Sequence, residues 1–148
     1  MFQGETAITI DAKGRLAIPT AYREAIGDAC ANQLVVTYNP FESGCLWLFP
    51  KGEWEQLRDQ VNALPGVKAV HRNLQMKLVG AAAMVEPDGA ARILLPASQR
   101  NAAGIEKKAV LLGMGNKFEI WSEQAHLAKI RQTIEEDEIS EEMADLKL

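Results

Sequence analysis

The residues with the clearest chemical potential are two aspartates that each stand four positions before an arginine. Asp11 is followed by Arg15, with Lys13 between them, and Asp88 is followed by Arg92. An arginine donates two parallel hydrogen bonds to guanine O6 and N7 or to a phosphate, and a lysine suits a phosphate as a point charge. Lys13, Arg15 and Arg92 are therefore predicted to bind DNA. Each aspartate either braces its turn alone or, by fixing the arginine rotamer, also supports base reading.

A second arginine follows each motif at the same distance. Arg23 and Arg100 come eight residues after Arg15 and Arg92, in segments typical of short helices. One helical turn would place them beside the same surface, where they would support DNA binding. Exposed arginines or salt bridges between subunits explain them equally well, and the sequence leaves these alternatives open.

Two aspartates in a repeat also suggest an acid-pair hydrolase, in which two carboxylates share one proton. Such sites place a hydroxyl-bearing residue after the aspartate, whereas Ala12 and Gly89 occupy those positions. A nearby arginine would also keep both carboxylates charged. No Ser-His-Asp or Cys-His pairing is visible in the sequence. No catalytic residue and no enzyme are therefore predicted.

The other candidate ligand motifs lack the spacing that their chemistry needs. The chain has two cysteines and two histidines: Cys30, Cys45, His71 and His126. They form neither Cys-x-x-Cys nor His-x-x-x-His, so no metal site is expected. Lys117 follows a glycine-rich run but lacks the spacing and the following Ser or Thr of a phosphate-binding loop. Gly115-Asn116 is predicted to form a hairpin turn instead, and no cofactor is expected.

Composition indicates a globular protein of 148 residues that is 47% hydrophobic and 24% charged. The net charge of −4 lies entirely in residues 129–148, which hold three basic and seven acidic side chains. The neutral remainder can bind DNA through local basic clusters. No apolar run approaches the roughly 18 residues of a membrane span, and no secretory signal is visible. We therefore expect a cytoplasmic protein that has free thiols and does not span a membrane. Its acidic tail is expected to be a solvated helix or a frayed end.

An internal repeat organises the chain. Residues 11–23 match residues 88–100 without a gap, in the pattern Asp-x-x-x-Arg-apolar-x-apolar-Pro-x-x-x-Arg. Two later pairs of segments also match: 34–36 with 110–112, and 46–49 with 118–121. The matches recur in one order, so they indicate a duplication.

Each copy predicts four short strands and a small helix. A strand runs into a turn at the aspartate, where Gly14 and Gly89 are expected to supply the backbone angles. A second strand ends at Pro19 or Pro96, where the helix begins. Thr20 and Ser98 are predicted N-caps, Gly27 and Gly104 C-terminal stops. Because four strands cannot bury both faces, the copies are expected to complete each other in one barrel.

Larger helices follow each copy. The first half is placed at residues 1–80, with its barrel repeat at about 5–50 and helices at about 51–79. The second half is placed at residues 81–148, with its repeat at about 82–121, then a C-terminal helix and the tail. Apolar faces are predicted for three helices: Trp54, Leu57, Val61 and Leu64; Val67, Val70, Leu74 and Leu78; Leu127, Ile130 and Ile134 after an N-cap at Ser122.

These residues resemble a known family. The duplicated motif is similar to the swapped-hairpin barrels of the AbrB-type regulators. The start Met1-Phe2-x-Gly4, the run Gly115-Asn-Lys-Phe-Glu-Ile-Trp121 and the tandem arrangement resemble the MraZ family over nearly all of residues 1–125. The chain departs from that family at several positions. Gln3 stands where the family often has arginine, Ala90-Ala91 where a glycine before the arginine is common, and His126 where a tryptophan is frequent. The segment at residues 71–77 is also less basic.

The resemblance implies an α+β fold, a pseudo-two-fold swapped-hairpin β-barrel of two tandem repeats with peripheral helices. It implies both Asp-x-x-x-Arg motifs on one face and a ring-like homo-oligomer. The implied ligand is double-stranded DNA carrying short direct repeats upstream of the division and cell-wall gene cluster, bound to regulate, and most often repress, transcription in the nucleoid. A ring-forming scaffold that assembles something other than DNA remains the alternative, although a scaffold does not need basic hairpin tips.

Overall fold

A computed structural model describes residues 1–148 as eight strands, five α-helices and three short helical turns. The strands are β1 (Phe2–Thr9), β2 (Arg15–Ala17), β3 (Leu34–Tyr38), β4 (Cys45–Pro50), β5 (Ala83–Val85), β6 (Arg92–Leu94), β7 (Lys108–Gly115) and β8 (Phe118–Ser122). The helices are α1 (Thr20–Cys30), α2 (Lys51–Asn62), α3 (Ala69–Gln75), α4 (Ala97–Ala103) and α5 (Glu123–Arg131). A π-helical turn continues α3 over Met76–Gly80, and 3-10 turns lie at Glu136–Glu138 and Glu141–Met143.

The two repeats exchange their first strands. Six antiparallel strands form one sheet in the order β1-β7-β8-β4-β3-β5, and β2 pairs with β6 in a separate two-stranded ribbon. β1 therefore completes the hairpin of the second repeat, while β5 completes that of the first. This confirms the predicted α+β, swapped-hairpin fold of two repeats. The hydrogen bonds form an open sheet and a ribbon around the core rather than a closed barrel.

Strand register reveals the pseudo-two-fold axis. In the ribbon Leu16 lies opposite Ile93, its counterpart 77 positions later in the chain. At the centre of the sheet Trp47 lies opposite Glu119, which is likewise its counterpart in the aligned repeats. Each pair marks a place where the axis crosses two antiparallel strands. The ribbon and the sheet centre are thus the two regions where both repeats meet as equals.

The register also corrects the match of residues 34–36 with 110–112 by one position. Val35 lies opposite Met84, and Val110 lies opposite Ala7, the counterpart of Met84. The true match of residues 34–36 is therefore 109–111. A slip of one residue turns every side chain to the other face of a strand. The apolar letters of β7 run without a break, so the sequence alone does not fix that register.

The main core lies between the ribbon and the inner face of the sheet. It contains eighteen buried apolar residues, among them Leu16, Ile93, Leu48, Leu111 and Phe118. Both repeats contribute to this single core, because the exchange of strands leaves neither with a complete inner face of its own.

Two helical layers cover the outer face of the sheet. α2, α3 and the π-helical turn cover β3 and β4 through Trp54, Val61 and Leu78. The predicted inward positions Val67 and Val70 are wrong, since their side chains are 94% and 69% exposed. Val67 precedes α3, which begins only at Ala69 and packs through its C-terminal end.

The predicted inward face of the last helix is also wrong. Leu127, Ile130 and Ile134 are exposed, and the buried residue of α5 is His126. α5 approaches the sheet so closely at Gly44 that a Cβ there would come within 2.4 Å of the Ala125 Cβ. This approach selects the face of α5 that carries Ala125 and His126, and Leu127 and Ile130 therefore point to solvent.

The helix starts were predicted with mixed success. Thr20 and Ser98 are not N-caps, because Pro19 and Pro96 occupy the cap positions and no side chain caps either helix. Proline has no side-chain acceptor, but its fixed φ suits the start of a helix, and the Pro19 and Pro96 carbonyls accept from the Tyr22 and Arg100 N–H groups at 2.9 and 3.0 Å. Ser122 does cap α5, where its Oγ accepts from the Ala125 N–H at 3.2 Å.

Residues with left-handed backbone angles end α1 and α4 and form the turn of the last hairpin. Gly27 does not end α1, which continues to Cys30 and turns at Ala31 with a left-handed φ of 51°. Gly104 ends α4 as predicted, with φ 67°. The predicted hairpin turn between β7 and β8 is confirmed by positive φ at Gly115 and a hydrogen bond from the Met114 N–H to the Lys117 carbonyl.

Several wider features bear on the expected class. Cys30 and Cys45 are free thiols, as expected. No three His, Cys, Asp or Glu side chains come together in a group that could hold a metal ion. None of the helices combines the length and apolar character needed to cross a membrane. The acidic residues 135–142 are exposed, in agreement with a solvated tail.

Candidate nucleic-acid interface

The hairpin between β1 and β2 is organised by the carboxylate of Asp11. Its Oδ1 accepts the backbone N–H groups of Lys13 and Arg15, each at 2.9 Å. Its Oδ2 accepts Arg15 Nε at 2.8 Å. The Asp11 N–H also donates to the Arg15 carbonyl at 2.9 Å, which closes the hairpin. One side chain thus shapes the turn and holds the arginine.

The hairpin between β5 and β6 repeats this arrangement. The Asp88 Oδ1 accepts from the backbone N–H groups of Ala90 and Arg92 at 2.9 and 3.0 Å. Its Oδ2 accepts Arg92 Nε at 3.1 Å. The Nε bond leaves both terminal nitrogens of each guanidinium outside these Asp–Arg contacts. Bracing by the aspartate is therefore compatible with ligand binding by the arginine.

The two turns share one left-handed backbone position. Gly14 has φ 87°, and its counterpart Ala91 has φ 59°. The prediction that Gly89 supplies this angle is wrong, because positive φ falls two residues later, immediately before the arginine. Ala91 adopts an angle that favours glycine because the Asp88 bonds and the β2–β6 pairing fix the turn on both sides. The Ala90-Ala91 departure therefore leaves the turn unchanged in shape.

Both aspartates are held in their charged form. The backbone N–H of Arg15 is the main group that lowers the pKa of Asp11, and the Arg15 guanidinium adds to it. The backbone N–H of Arg92 lowers the pKa of Asp88 in the same way. Desolvation opposes both shifts without reversing them. Each carboxylate has its own arginine, which is the opposite of what a shared proton requires.

The ribbon brings the two motif arginines onto one face. Leu16 and Ile93 point into the core, so the neighbours of each on its strand point outward. The outward face carries Arg15 opposite Leu94 and Ala17 opposite Arg92. Arg15 and Arg92 are diagonal neighbours on this face, a relation that places two residues about 7–8 Å apart and their Cβ atoms somewhat closer. Lys13 is exposed at the tip beside Arg15.

The later arginines lie against the hairpins of the opposite repeats. Arg100 Nε donates to the Leu95 carbonyl at 3.2 Å, and its guanidinium covers Gly14, where a Cβ would come within 2.6 Å of Cζ. Arg23 Nε donates to the Ile18 carbonyl at 2.8 Å and lines a groove with Asp88. Both therefore flank the ribbon, as the supporting role requires. Neither forms a salt bridge within the chain, and contacts between subunits stay an open alternative.

Sequence reasoning missed Lys107 as a neighbour of the first hairpin. The exchange of strands places the start of β7 beside the end of β1, where the Ile10 N–H donates to the Lys107 carbonyl at 2.8 Å. Lys107 is exposed and lines a groove with Asp11 and Arg100. The lysine pair 107–108 before an apolar strand was visible in the sequence. Its relevance depends on strand exchange, which the letters alone do not place.

Comparisons with known proteins agree with the duplication. The family described as "MraZ protein, putative antitoxin-like" matches the chain twice, over residues 1–77 and 78–147. Two relatives named "Transcriptional regulator MraZ" align over 148 residues, the whole of both chains: that of Stenotrophomonas maltophilia (strain R551-3) is 61% identical, and that of Xanthomonas campestris pv. campestris (strain 8004) is 59% identical. The solution structure of PHS018 from Pyrococcus horikoshii covers 82% of this chain and 89% of its own, at 13% identity and a TM-score of 0.34.

Proposed function

Because this chain belongs to the MraZ family, whose relatives are named transcriptional regulators, we propose that it binds DNA sequence-specifically through the outward face of the β2–β6 ribbon. The observation that carries the proposal is the pair of arginines, Arg15 and Arg92, held by matching aspartates on one ribbon face. The aspartates bind only the Nε of each arginine side chain, so the terminal guanidinium nitrogens of both arginines can engage a polyanion from one face.

The shape of the ribbon suits the major groove. A groove about 12 Å wide admits a two-stranded ribbon, and arginines on it can reach guanine O6 and N7. Each aspartate reduces the rotamer freedom that its arginine loses on binding. Leu94, 55% exposed and directly opposite Arg15, supplies an apolar contact for a thymine methyl. Lys13 reaches a backbone phosphate, and Arg23 and Arg100 support the face from its sides.

One such face binds weakly at physiological salt, because it neutralises few phosphates. A ring-like homo-oligomer that engages successive direct repeats would raise avidity by about 10²–10⁴ through effective concentration. The sites lie, in this proposal, upstream of the protein's own operon in the division and cell-wall gene cluster. Occupied repeats exclude polymerase and repress transcription, in the cytoplasm at the nucleoid. The boundary between the halves, 1–80 and 81–148, belongs to the same proposal.

The test is a salt-series titration by fluorescence anisotropy. DNA from upstream of this protein's own gene is compared with a scrambled duplex of equal length. The native repeats should bind more tightly, with an affinity that falls steeply as salt rises. Arg15→Ala and Arg92→Ala should each cost about 1–3 kcal/mol per engaged protomer and reduce the preference for native DNA.

Arg58→Ala is the matched control, since Arg58 is a partly exposed arginine on α2 that pairs with Glu55 and Asp59 away from the ribbon. It should bind like the parent. Equal preference for native DNA in Arg15→Ala and in the parent would refute base reading by Arg15. Absence of binding to either duplex at low salt would overturn the function and favour a ring-forming scaffold.

A further inference from the structure

We propose that the ribbon face binds a duplex in one orientation only. A phosphodiester-binding site formed by Lys13 and Lys107 flanks the first hairpin, and the second hairpin has no counterpart of this site. This inference rests on the proposed DNA binding and adds to it the way in which one protomer is oriented on its site. The phosphate would sit in the groove that Asp11, Arg100 and Lys107 line beside the first hairpin; Lys13 stands outside this lining, at the exposed tip of the same hairpin two residues after Asp11.

The pseudo-two-fold axis makes the difference visible position by position. The counterpart of Lys13 is Ala90, by the shift of 77 residues that relates the two hairpins. In β3 and β7 the shift is 75, so the counterpart of Lys107 is Asn32 and the residue after it, Gln33, matches Lys108. Three lysines near the first hairpin therefore correspond to uncharged residues near the second.

Acidic residues increase the contrast. Thr9, at the end of β1, corresponds to Glu86 beside the second hairpin. α4, which flanks the first hairpin through Arg100, carries no acidic residue, whereas α1, which flanks the second through Arg23, carries Glu24 and Asp28. All three acids are exposed.

Two acids stand on the basic side: Glu106 lines the same groove as Lys107, and Glu123 lines a neighbouring groove with Lys107 and Lys108. Lys13 and Lys107 form no salt bridge with either acid or with any other residue of the chain, and both are exposed. Asp11 is already committed to Arg15, which leaves the lysines available to a ligand. A phosphate is attracted by the lysines at the first hairpin and repelled by Glu86 beside the second.

This asymmetry decides how a site is read. The two motif arginines alone, related by the axis, would bind a duplex equally well in either direction. A phosphate clamp on one side removes that equality, because only one direction places a phosphate against Lys13 and Lys107. Protomers with a fixed direction fit direct repeats rather than inverted ones. At about 0.1 M salt, a slope of about 0.9 per phosphate converts one lost contact into about an eightfold loss of affinity.

The experiment uses the full-length protein and a duplex with a single repeat, in which a neutral methylphosphonate replaces one phosphate at the left or right flank. The parent should lose about eightfold in affinity at one flank and little at the other. Lys107→Ala should bind both unmodified native and scrambled duplexes more weakly, with the salt slope reduced by about 1, and should lose the flank sensitivity. The exchange Lys13→Ala with Ala90→Lys should shift sensitivity toward the opposite flank.

Lys68→Ala is the charge-matched control, because Lys68 is exposed at the start of α3 outside the ribbon. It should keep the flank sensitivity of the parent. Sensitivity of equal size at both flanks in the parent would overturn the directional inference while DNA binding stands. Failure of the parent to prefer the unmodified repeat over scrambled DNA would overturn the proposed function itself, and the directional inference with it.

Discussion

The left-handed residue of each hairpin offers a sharp test, because the two repeats solve the same turn with different residues. Ala91 holds φ 59° where its counterpart is Gly14 at φ 87°. A residue with a Cβ loses about 1–2 kcal/mol in this region, and glycine loses about 0.5–1 kcal/mol through the greater freedom of its unfolded chain. Ala91→Gly should therefore stabilise the fold by about 0.5–1 kcal/mol, or about 1–4 °C in Tm for a chain of this length.

The reciprocal change should have the opposite sign. Gly14→Ala brings the same backbone cost, and its new Cβ would lie 2.6 Å from the Arg100 Cζ. Arg100 is a flexible side chain and can move, but it then gives up its bond to the Leu95 carbonyl. A hydrogen bond of this kind contributes about 1 kcal/mol. The entropy gained in the unfolded chain offsets part of this sum, so a net loss of about 1–3 kcal/mol is expected.

Thermal and urea denaturation at one fixed protein concentration measure both variants. Ala90→Gly is the matched control, since Ala90 is an exposed neighbour in the same turn without positive φ. It should be destabilised by about 0.5–1 kcal/mol. If Ala91→Gly were no more stable than Ala90→Gly, left-handed strain at position 91 would be refuted. DNA affinity of Ala91→Gly should equal that of the parent, because the Asp88 bonds that hold Arg92 do not involve the Ala91 side chain.

Three further predictions concern protonation, thiol reactivity and base contact. Because the pKa of Asp11 and of Asp88 is lowered from 3.8, the stabilisation that they give is complete above that value and is lost as the pH falls through the native pKa. The difference in unfolding free energy between the parent and the Asp11→Asn, Asp88→Asn double variant should thus be constant from about pH 5 to 8 and shrink in stronger acid; a difference that grows there would contradict it. Burial raises the pKa of Cys45 to about 12, so a thiol reagent at neutral pH should label at most one cysteine, Cys30, in the native chain and both after denaturation. Two rapid labelling events in the native protein would contradict this. Replacing the contacted thymine by deoxyuridine should weaken binding by the parent about fourfold, because burial of one methyl group contributes about 0.8 kcal/mol. The same replacement should leave binding by Leu94→Ala unchanged. Equal losses in both proteins would exclude the methyl contact.

Local chemistry explains which parts of the site could be predicted from the sequence. An aspartate four residues before an arginine can satisfy the turn and hold the guanidinium without help from distant residues, so the letters were sufficient for Asp11 and Asp88. The sequence was not sufficient to locate the residue with positive φ. Glycine permits left-handed backbone but does not require it, and Gly89 therefore suggested an angle that the hairpin places at Ala91.

The remaining errors arise where tertiary contacts select one of several possible faces or registers. β7 is apolar on consecutive positions, and only its pairing with β1 shows that Val110 matches Val35. α5 has apolar side chains on more than one side, and its close approach to Gly44 decides that His126 is buried. Lys107 belongs to the same class, since its place beside the first hairpin follows from strand exchange.

Divergence of the repeats is as important to this molecule as their similarity, and the sheet centre shows why. On the pseudo-two-fold axis, Trp47 faces Glu119, and the carboxylate accepts the indole N–H groups of Trp47 and Trp121 at 2.9 and 3.0 Å. Two identical repeats would place like residues opposite each other here, and two facing carboxylates would repel. The unlike pair avoids that repulsion, and the hydrogen bond from Trp47 to Glu119 joins the two repeats across the axis. The charge difference between the hairpins has the same origin. Because the two repeats have diverged on either side of this axis, the chain presents its lysines on one side of the ribbon only.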